Sequence, residues 1–254
     1  MTSLPVSYDP DSQRLFTEDV LNLRELGGMP LNGGKDIFRN GLYLRSGSPN
    51  ILTGRAHEVL VGFNVRTVID LRSESAVRRY GNPFKDDGVT EFLHIPLFVG
   101  DPDAEKDPTM DFLRTHHLGD FYVIMLEELG ERICRVFDVL LDREGYVLFH
   151  CAHGKDRTGV IAALLYLIAG ASRDDIIRNY EISYEYAKVF LDPLIEAKDP
   201  VMRHTLRSDR INMEILLSHI DKEYGGNIDR FFIKNGFGED KLQALREKVT
   251  VRRT

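Results

Sequence analysis

The sequence has few of the features that mark secreted or membrane proteins. Its 254 residues contain no tryptophan and two cysteines, Cys134 and Cys151. Two cysteines in a chain without secretion features do not make a disulfide framework, so we expect both to be free thiols. The longest apolar run, 160–171, has 12 residues. It is too short to cross a bilayer, and it is typical of a core helix.

The start of the chain and its charge exclude further classes. The first residues contain neither a basic segment nor an apolar block of signal-peptide length, so we expect a cytoplasmic location. A net charge of -7 argues against a nucleic-acid or anionic-membrane partner. A content of 43% hydrophobic and 29% charged residues is typical of a globular protein. Any anion-binding pocket must therefore be built locally.

The pattern of apolar runs predicts one α/β domain, with a mainly parallel central sheet flanked by helices. Residues 1–20 are polar and have no clean period, so we predict an N-terminal arm there and the domain over 21–254. Short apolar runs at 65–71 and 146–150 are typical of buried strands, and another strand is expected at 89–97.

Two local signals precede the first of these strands. Asn40-Gly41 stands between two apolar stretches, which predicts a β-hairpin. Thr53 is expected to cap a helix that continues through Val61.

Later segments have helical or loop character. Apolar residues recur at helical spacing over 118–141, with a break expected at Gly130. Ser172 begins a capping-box pattern that predicts a helix start, and the chain is expected to be largely helical up to Val249. Acids, prolines and a glycine over 99–111 predict a mobile surface loop, here called the flap.

The turn after the 146–150 strand carries the chemistry, with the sequence HCAHGKDRTG over 150–159. Such a loop at a helix N-terminus directs backbone N-H groups inward and forms an anion site. Arg157 offers a planar pair of donors to phosphoryl oxygens, and Cys151 is placed where a thiolate is favoured. We expect Thr158 to support the sulfur and His150 to hold the loop. The predicted phosphate-binding residues are Ala152, His153, Gly154, Lys155, Asp156 and Arg157.

Other interpretations of the loop are weaker. An ATP-binding loop ends in Gly-Lys-Ser/Thr, whereas Lys155 is followed by Asp156. A rhodanese-type sulfurtransferase also has a loop cysteine and an arginine, but without the Thr-Gly pair and the preceding histidine. An inactive phosphate-binding module would be expected to lack the cysteine or the arginine. A cysteine after a strand is more often buried than reactive, but six coincident positions favour a nucleophile: His150, Cys151, Gly154, Arg157, Thr158 and Gly159.

The loop resembles the signature loop of protein tyrosine phosphatases, in particular the atypical tyrosine/serine phosphatase family of bacteria and fungi. Four further blocks match that family's landmarks in order: 22–28, 42–53, 68–74 and 228–237. The resemblance covers nearly all of the chain from Leu21. It implies a cofactor-independent phosphatase that forms a phosphocysteine on Cys151. The substrate is a protein carrying phosphotyrosine, or phosphoserine and phosphothreonine, with a phosphoinositide as the alternative.

The resemblance also bears on Lys155 and Asp156. Phosphoinositide phosphatases similarly carry a lysine four places after the cysteine, where its charge suits a substrate with several phosphates. The alternative for Lys155 is a solvated loop cation. Asp156 is the first candidate for the general acid, because an aspartate at this place in the family assists catalysis.

Other acids compete for the role of proton donor to the leaving oxygen. Asp70 is the second candidate, because the carboxyl end of its strand should face the same crevice as Cys151. The third group lies in and beside the flap: Asp101, Asp103, Asp107, Asp111 and Asp120.

The remaining features have structural interpretations. Three arginines lie in the family blocks. They are expected either to contact Asp70, the loop or substrate, or to make structural ion pairs, which explain them equally well: Arg24, Arg45 and Arg72. Cys134, on an apolar helix face, is expected in the core. His116 and His117 lack partners at metal-ligand spacing, so no metal is expected.

Overall fold

The computed structural model describes residues 8–15, 18–50, 53, 55–100 and 107–253. The described chain forms two sheets and a set of surrounding helices. The strands are β1 (Arg24–Glu25), β2 (Pro30–Leu31), β3 (Asp36–Phe38), β4 (Tyr43–Ser46), β5 (Val65–Asp70), β6 (Glu91–His94), β7 (Tyr146–His150) and β8 (Thr250–Arg252).

The main sheet has the order β1-β4-β7-β5-β6. Strands β4, β7, β5 and β6 run parallel, and β1 is antiparallel to β4. The prediction of a mainly parallel central sheet is confirmed. Because β7 lies between β4 and β5, Ser46, His150 and Asp70 stand side by side in register at one edge. This carboxyl edge is where α/β folds place their sites.

In the described ranges, ten α-helices surround the sheets. They are α1 (Ala56–Gly62), α2 (Glu74–Tyr80), α3 (Pro108–Phe112), α4 (Leu118–Glu128), α5 (Gly130–Asp142), α6 (Asp156–Ala169), α7 (Arg173–Ala197), α8 (Arg210–Tyr224), α9 (Ile228–Lys234) and α10 (Glu239–Val249). Short 3-10 helices occupy Pro10–Gln13, Asn32–Gly34 and Pro200–Leu206. The predicted break at Gly130 and the helix start after Ser172 are confirmed, and the chain is mostly helical up to Val249.

Helices cover both faces of the main sheet. Side chains alternate along β7, so Val147 and Phe149 join the large core with α4 to α6 and α8 to α10. Leu148 points to the opposite face and packs with Leu60 of α1 and Phe84. The run 160–171 lies mostly in α6, which is buried on nearly every side, as predicted for a core helix. No helix within the described ranges is long and apolar enough to cross a membrane.

The predicted hairpin at Asn40-Gly41 is wrong. Strand β3 pairs with β2 and β8 in a separate three-stranded sheet, while β4 lies in the main sheet between β1 and β7. The Gly41 amide donates to Glu25, not across a hairpin. A turn signal predicts a reversal of the chain, but it does not say which strands the flanking residues will pair with.

Two other predicted boundaries differ. Thr53 does not cap α1, which begins at Ala56 after an N-cap, Arg55, that makes no side-chain capping bond. The hydroxyl of Thr53 accepts from the Arg55 amide and donates to Asp19. The strand expected at 89–97 is limited to β6.

The described residues of the predicted arm pack on the domain. Tyr8 and Gln13 are buried, and the Gln13 amide donates to the carbonyls of Leu26 and Gly27 at 2.9 Å. Residues 101–106 of the flap lie outside the described ranges.

Candidate active site

The loop of residues 151–155 connects β7 to α6 at the carboxyl edge of the main sheet. Backbone and side-chain hydrogen bonds hold it from both sides. The Ser48 amide donates to the Ala152 carbonyl at 2.9 Å. The Asn22 side chain donates to the carbonyls of His153 and Gly154 at 3.2 and 3.0 Å. These contacts come from the first two family blocks, so those blocks shape the loop.

Gly154 allows the loop to pass close to β4. Its φ is +68°, in the left-handed region that favours glycine. A Cβ atom here would lie 2.4 Å from the Ser46 carbonyl carbon and 2.6 Å from the Gly47 nitrogen. Both the backbone conformation and the space therefore require glycine.

Cys151 is buried at the start of the loop, with 1% of its surface exposed. Burial alone would raise the pKa of its thiol, but the charge of Arg157 and the adjacent Thr158 outweigh it. The net effect lowers the pKa of Cys151 below its ordinary value, so the thiolate is favoured. The buried Thr158 hydroxyl has no hydrogen-bond partner among the described residues.

Arg157 lies in the first turn of α6, partly exposed beside the loop. Its guanidinium lies 5.7 Å from the centre of the Phe98 ring. Within the described ranges it has no carboxylate or carbonyl partner. Its planar donors therefore remain available to an oxyanion.

Lys155 fits neither of its two predicted roles. Its side chain is fully buried, so it is not a solvated cation. Its amino group donates to the Arg207 carbonyl at 2.6 Å, to the Asp156 carboxylate at 2.8 Å and to the Thr205 carbonyl at 3.3 Å. An ammonium has three donors. All three are used within the protein, and none is directed to a substrate phosphate.

Asp156 is the first residue of α6, and its side chain is 22% exposed. One oxygen accepts from Lys155 and from the Tyr122 hydroxyl. Tyr122 in turn contacts the Tyr180 hydroxyl at 2.7 Å, and Asn212 donates to Tyr180 at 3.3 Å. The Asp156 carboxyl group is thus held by a chain of buried hydroxyl and amide groups.

Asp70 belongs to a separate buried cluster. Arg72 donates to both of its oxygens, the shortest contact being 2.6 Å, and Asn82 donates at 2.9 Å. Burial would raise the pKa of Asp70, but the charge and hydrogen bonds of Arg72 and a hydrogen bond from Asn82 hold it well below its usual range. A carboxylate held ionised in this way is a poor proton donor at neutral pH.

His150 is neutral in this cluster. Asn82 donates one hydrogen to Asp70 and the other to His150 Nε2 at 2.9 Å, so His150 Nδ1 carries the hydrogen and donates to the Cys151 carbonyl at 3.2 Å. Burial lowers the pKa of His150, which agrees with this tautomer. Arg72 is therefore the cation that keeps Asp70 ionised near pH 7.

The described acids of the third group, Asp107, Asp111 and Asp120, make no hydrogen bond to the loop. Asp107 caps α3 through the Thr109 amide, and Asp120 accepts from the His117 amide at the start of α4. Asp111 is exposed on α3. Asp101 and Asp103 lie outside the described residues.

A cleft of about 370 Å³ opens beside the loop. Its walls are mostly apolar, and Phe190 and His153 meet there with their ring centres 5.9 Å apart. The lining residues are Ser48, Asn50, Arg72, Ala76, Tyr80, Ala152, His153 and Phe190.

Sequence reasoning missed the residues that support the loop from outside it. Asn82, Tyr122 and Asn179 are polar residues in otherwise ordinary helical or loop segments, so no local pattern distinguishes them. Asn22 stands inside a family block, which was a usable signal.

These elements define a class of protein, a mainly parallel α/β domain in which a short loop joins a strand to a buried helix, with a cysteine at the start of the loop and an arginine in the first turn of the helix. Comparison with known proteins agrees. The sequence matches the tyrosine phosphatase family over residues 15–251. The chain belongs to this family.

Two curated relatives carry the same class name. A tyrosine-protein phosphatase of Nostoc commune is 31% identical over 145 residues, which cover 57% of this chain and 49% of that protein. A Cupriavidus necator protein named for the same class is 31% identical over 178 residues, covering 65% of this chain and 61% of that protein. The matches therefore span less than two thirds of either relative.

Two solved structures are similar to this chain at lower sequence identity than the curated relatives. TpbA of P. aeruginosa has a TM-score of 0.42 at 16% identity and covers 90% of this chain and 94% of its own. The Siw14 catalytic core has a TM-score of 0.40 at 12% identity, covering 84% of this chain and 94% of its own.

Proposed function

We propose that this chain hydrolyses phosphotyrosine in proteins through a phosphocysteine intermediate on Cys151. The observation that carries the proposal is the buried Cys151 thiol, with its lowered pKa, beside Arg157, whose guanidinium has no carboxylate or carbonyl partner among the described residues. A thiolate and an unpaired guanidinium at the N-terminus of one helix are complementary to a phosphate dianion.

The reaction then has two steps. The Cys151 thiolate attacks phosphorus in line, while Arg157 and the loop amides bind the equatorial oxygens. The bond to the leaving oxygen breaks, and Asp156 donates its proton to that oxygen. In the second step, water attacks the phosphocysteine. Asp156 takes a proton from this water, Thr158 stabilises the departing thiolate, and inorganic phosphate leaves.

The cleft beside the loop favours an aromatic phosphoester. Tyr80, Phe190 and Ala76 give it apolar walls that suit a phenyl ring. The basis for a phosphoinositide substrate is weaker, because the amino group of Lys155 is already bonded to two carbonyls and a carboxylate. A phosphotyrosine side chain needs a site for only one phosphate group and one phenyl ring, which the loop and the cleft would supply.

A substrate panel tests the proposal. Phosphate release is measured from matched phosphotyrosine and phosphoserine peptides and from soluble phosphoinositides. We expect phosphotyrosine to be hydrolysed fastest and Cys151→Ser to abolish turnover of every substrate. After acid quench, mass spectrometry should find phosphate on Cys151 in the native chain. Undiminished hydrolysis by Cys151→Ser would contradict the mechanism, and faster phosphoinositide turnover would contradict the substrate class.

A further inference from the structure

Two arginines lie buried beneath the loop, and in the described part of the chain neither has a carboxylate partner. Arg24 and Arg45 have no exposed surface. Arg45 donates to the Gly154 carbonyl at 2.9 Å and to the Asn179 side chain at 2.8 Å. Arg24 donates to the Asn179 carbonyl at 2.7 Å and to the Ser183 hydroxyl at 2.8 Å. These contacts are to neutral groups.

The two guanidiniums are also incompletely bonded. The Nε atoms of Arg24 and Arg45 are buried and have no hydrogen-bond partner among the described residues. Burying a charge without a counter-charge is costly, and two like charges increase the cost. Arg72 shows the usual solution, since its guanidinium grips both oxygens of Asp70. Arg24 and Arg45 differ from Arg72 because their partners are neutral groups.

The uncompensated charge lies next to the nucleophile's loop. Arg45 holds the carbonyl of Gly154, three residues after Cys151, and one of its terminal nitrogens lies 3.6 Å from where a Cβ on Gly159 of α6 would be. An anion formed at the mouth of the loop is therefore the nearest counter-charge that the site can supply.

We propose that Arg45 is a positioning residue that acts through the loop, its buried charge favouring the Cys151 thiolate and the phosphate that replaces it. The proposal rests on the proposed function, in which that thiolate is the nucleophile. Arg24 makes no hydrogen bond to the loop but shares the partner Asn179 with Arg45. Its charge favours the Cys151 thiolate in the same way, but more weakly.

The neighbouring charges agree with this role. Burial and Arg24 hold the pKa of Arg45 well below its ordinary value, whereas an ionised Cys151 raises it. Arginine nevertheless stays protonated in proteins. The other groups that act on Arg45 are the phenols of Tyr166 and Tyr8. Besides burial, the largest influences on Cys151 come from Arg157, Thr158 and Asp156.

The test is the pH titration of the Cys151 thiolate, followed by its ultraviolet absorbance with the Cys151→Ser signal subtracted. Arg45→Gln keeps a donor for the Gly154 carbonyl and removes the charge. We expect its midpoint to move to higher pH by about one unit, so that the thiolate fraction below the midpoint falls about tenfold. Arg45→Lys, which keeps the charge, should stay within about twofold of the native thiolate fraction.

A second variant neutralises the charge without removing the arginine. Asn179→Asp places a carboxylate where Arg45 now contacts an amide oxygen at 2.8 Å. It should raise the midpoint in the same direction as Arg45→Gln, and Arg24→Gln should give a smaller rise. Circular dichroism shows which variants fold, and either neutralising variant is sufficient to decide.

An unchanged midpoint in a folded Arg45→Gln or Asn179→Asp variant would overturn the proposal. So would an Arg45→Lys midpoint that moves by a full unit, because hydrogen-bond geometry would then matter instead of charge. The titration needs no turnover. Its failure is therefore distinct from failure of the proposed function, which is judged by the activity of Cys151→Ser.

Discussion

At the residue scale, the backbone at Gly154 gives the sharpest test of the loop. Gly154→Ala puts a methyl group 2.4 Å from Ser46 in a left-handed conformation. We expect the loop to shift and turnover of an aryl phosphate to fall by at least about a hundredfold, since small displacements of positioning groups have effects of that size. Steady-state kinetics and binding of tungstate measure the change.

Gly41→Ala is the matched control. Gly41 also has a positive φ, +83°, but nothing lies within 4 Å of its missing Cβ. It should lose about 1 to 2 kcal/mol of stability and keep full activity. Equal activity in both variants would show that the close contact at Gly154 does not shape the site.

Asp156 is the second residue-scale prediction. Asp156→Asn cannot deliver a proton, so hydrolysis of an alkyl phosphate should fall about 10² to 10⁴-fold. An activated aryl phosphate has a good leaving group that needs little protonation, so its rate of hydrolysis should fall much less. Parallel kinetics on the two substrates measure the difference, with Asp111→Asn, an exposed residue of α3, as the control. A uniform loss on both substrates, or a selective loss in the control, would reject Asp156 as the acid.

The loop itself could be predicted from the sequence, and its supports could not. Cys151, Arg157 and Gly154 lie within one short segment whose strand and helix were evident from local patterns. Lys155 was interpreted from its neighbours alone, but its partners come from residues 205–207, about fifty positions away. Long-range hydrogen bonds leave no trace in a local pattern.

At the scale of elements, Lys155 ties the start of α6 to the segment between α7 and α8. Lys155→Met removes its three hydrogen bonds and leaves the carbonyls of Thr205 and Arg207 without this partner. The loss should destabilise the protein by about 2 to 4 kcal/mol. Amide exchange over 203–209 should accelerate more than exchange in the core of α6. Mass spectrometry after deuterium labelling measures both.

Lys222→Met provides the comparison, because that lysine is 82% exposed. It should change stability by less than about 0.5 kcal/mol. If exchange over 203–209 is the same in both variants, then Lys155 does not hold that segment.

Elements with a strong hydrophobic period were predicted well, whereas the capping signal at Thr53 and the antiparallel pairing expected around Asn40-Gly41 were wrong. The β5 and β7 strands, the break at Gly130 and the start of α7 follow from local hydrophobicity and side-chain chemistry. The false hairpin at Asn40-Gly41 arose because β3 finds its partner β8 at the other end of the chain. Register between distant strands depends on the assembled core.

At the scale of the whole molecule, the buried cluster around Asp70 links stability to pH. The folded pKa of Asp70 lies below its unfolded value, so the folded state holds fewer protons on this group than the unfolded state does. The contribution of the ionised Asp70 to the free energy of unfolding is fully present above about pH 4 and is lost as the pH falls toward the folded pKa. Acid should therefore weaken the main sheet at the edge where β5 meets β7.

Asp70→Asn should remove this dependence. At pH 7 the variant leaves Arg72 buried beside a neutral amide, which should cost about 3 kcal/mol. At pH 3 the difference from the native chain should shrink, because the unfolded native chain then gains protons and its own stability falls. Urea unfolding at both pH values measures the two differences. Asp221→Asn, at an exposed pair with Arg173, should change stability by less than about 1 kcal/mol at either pH. A gap for Asp70→Asn that is the same at pH 3 and pH 7 would mean that Arg72 does not hold the carboxylate ionised.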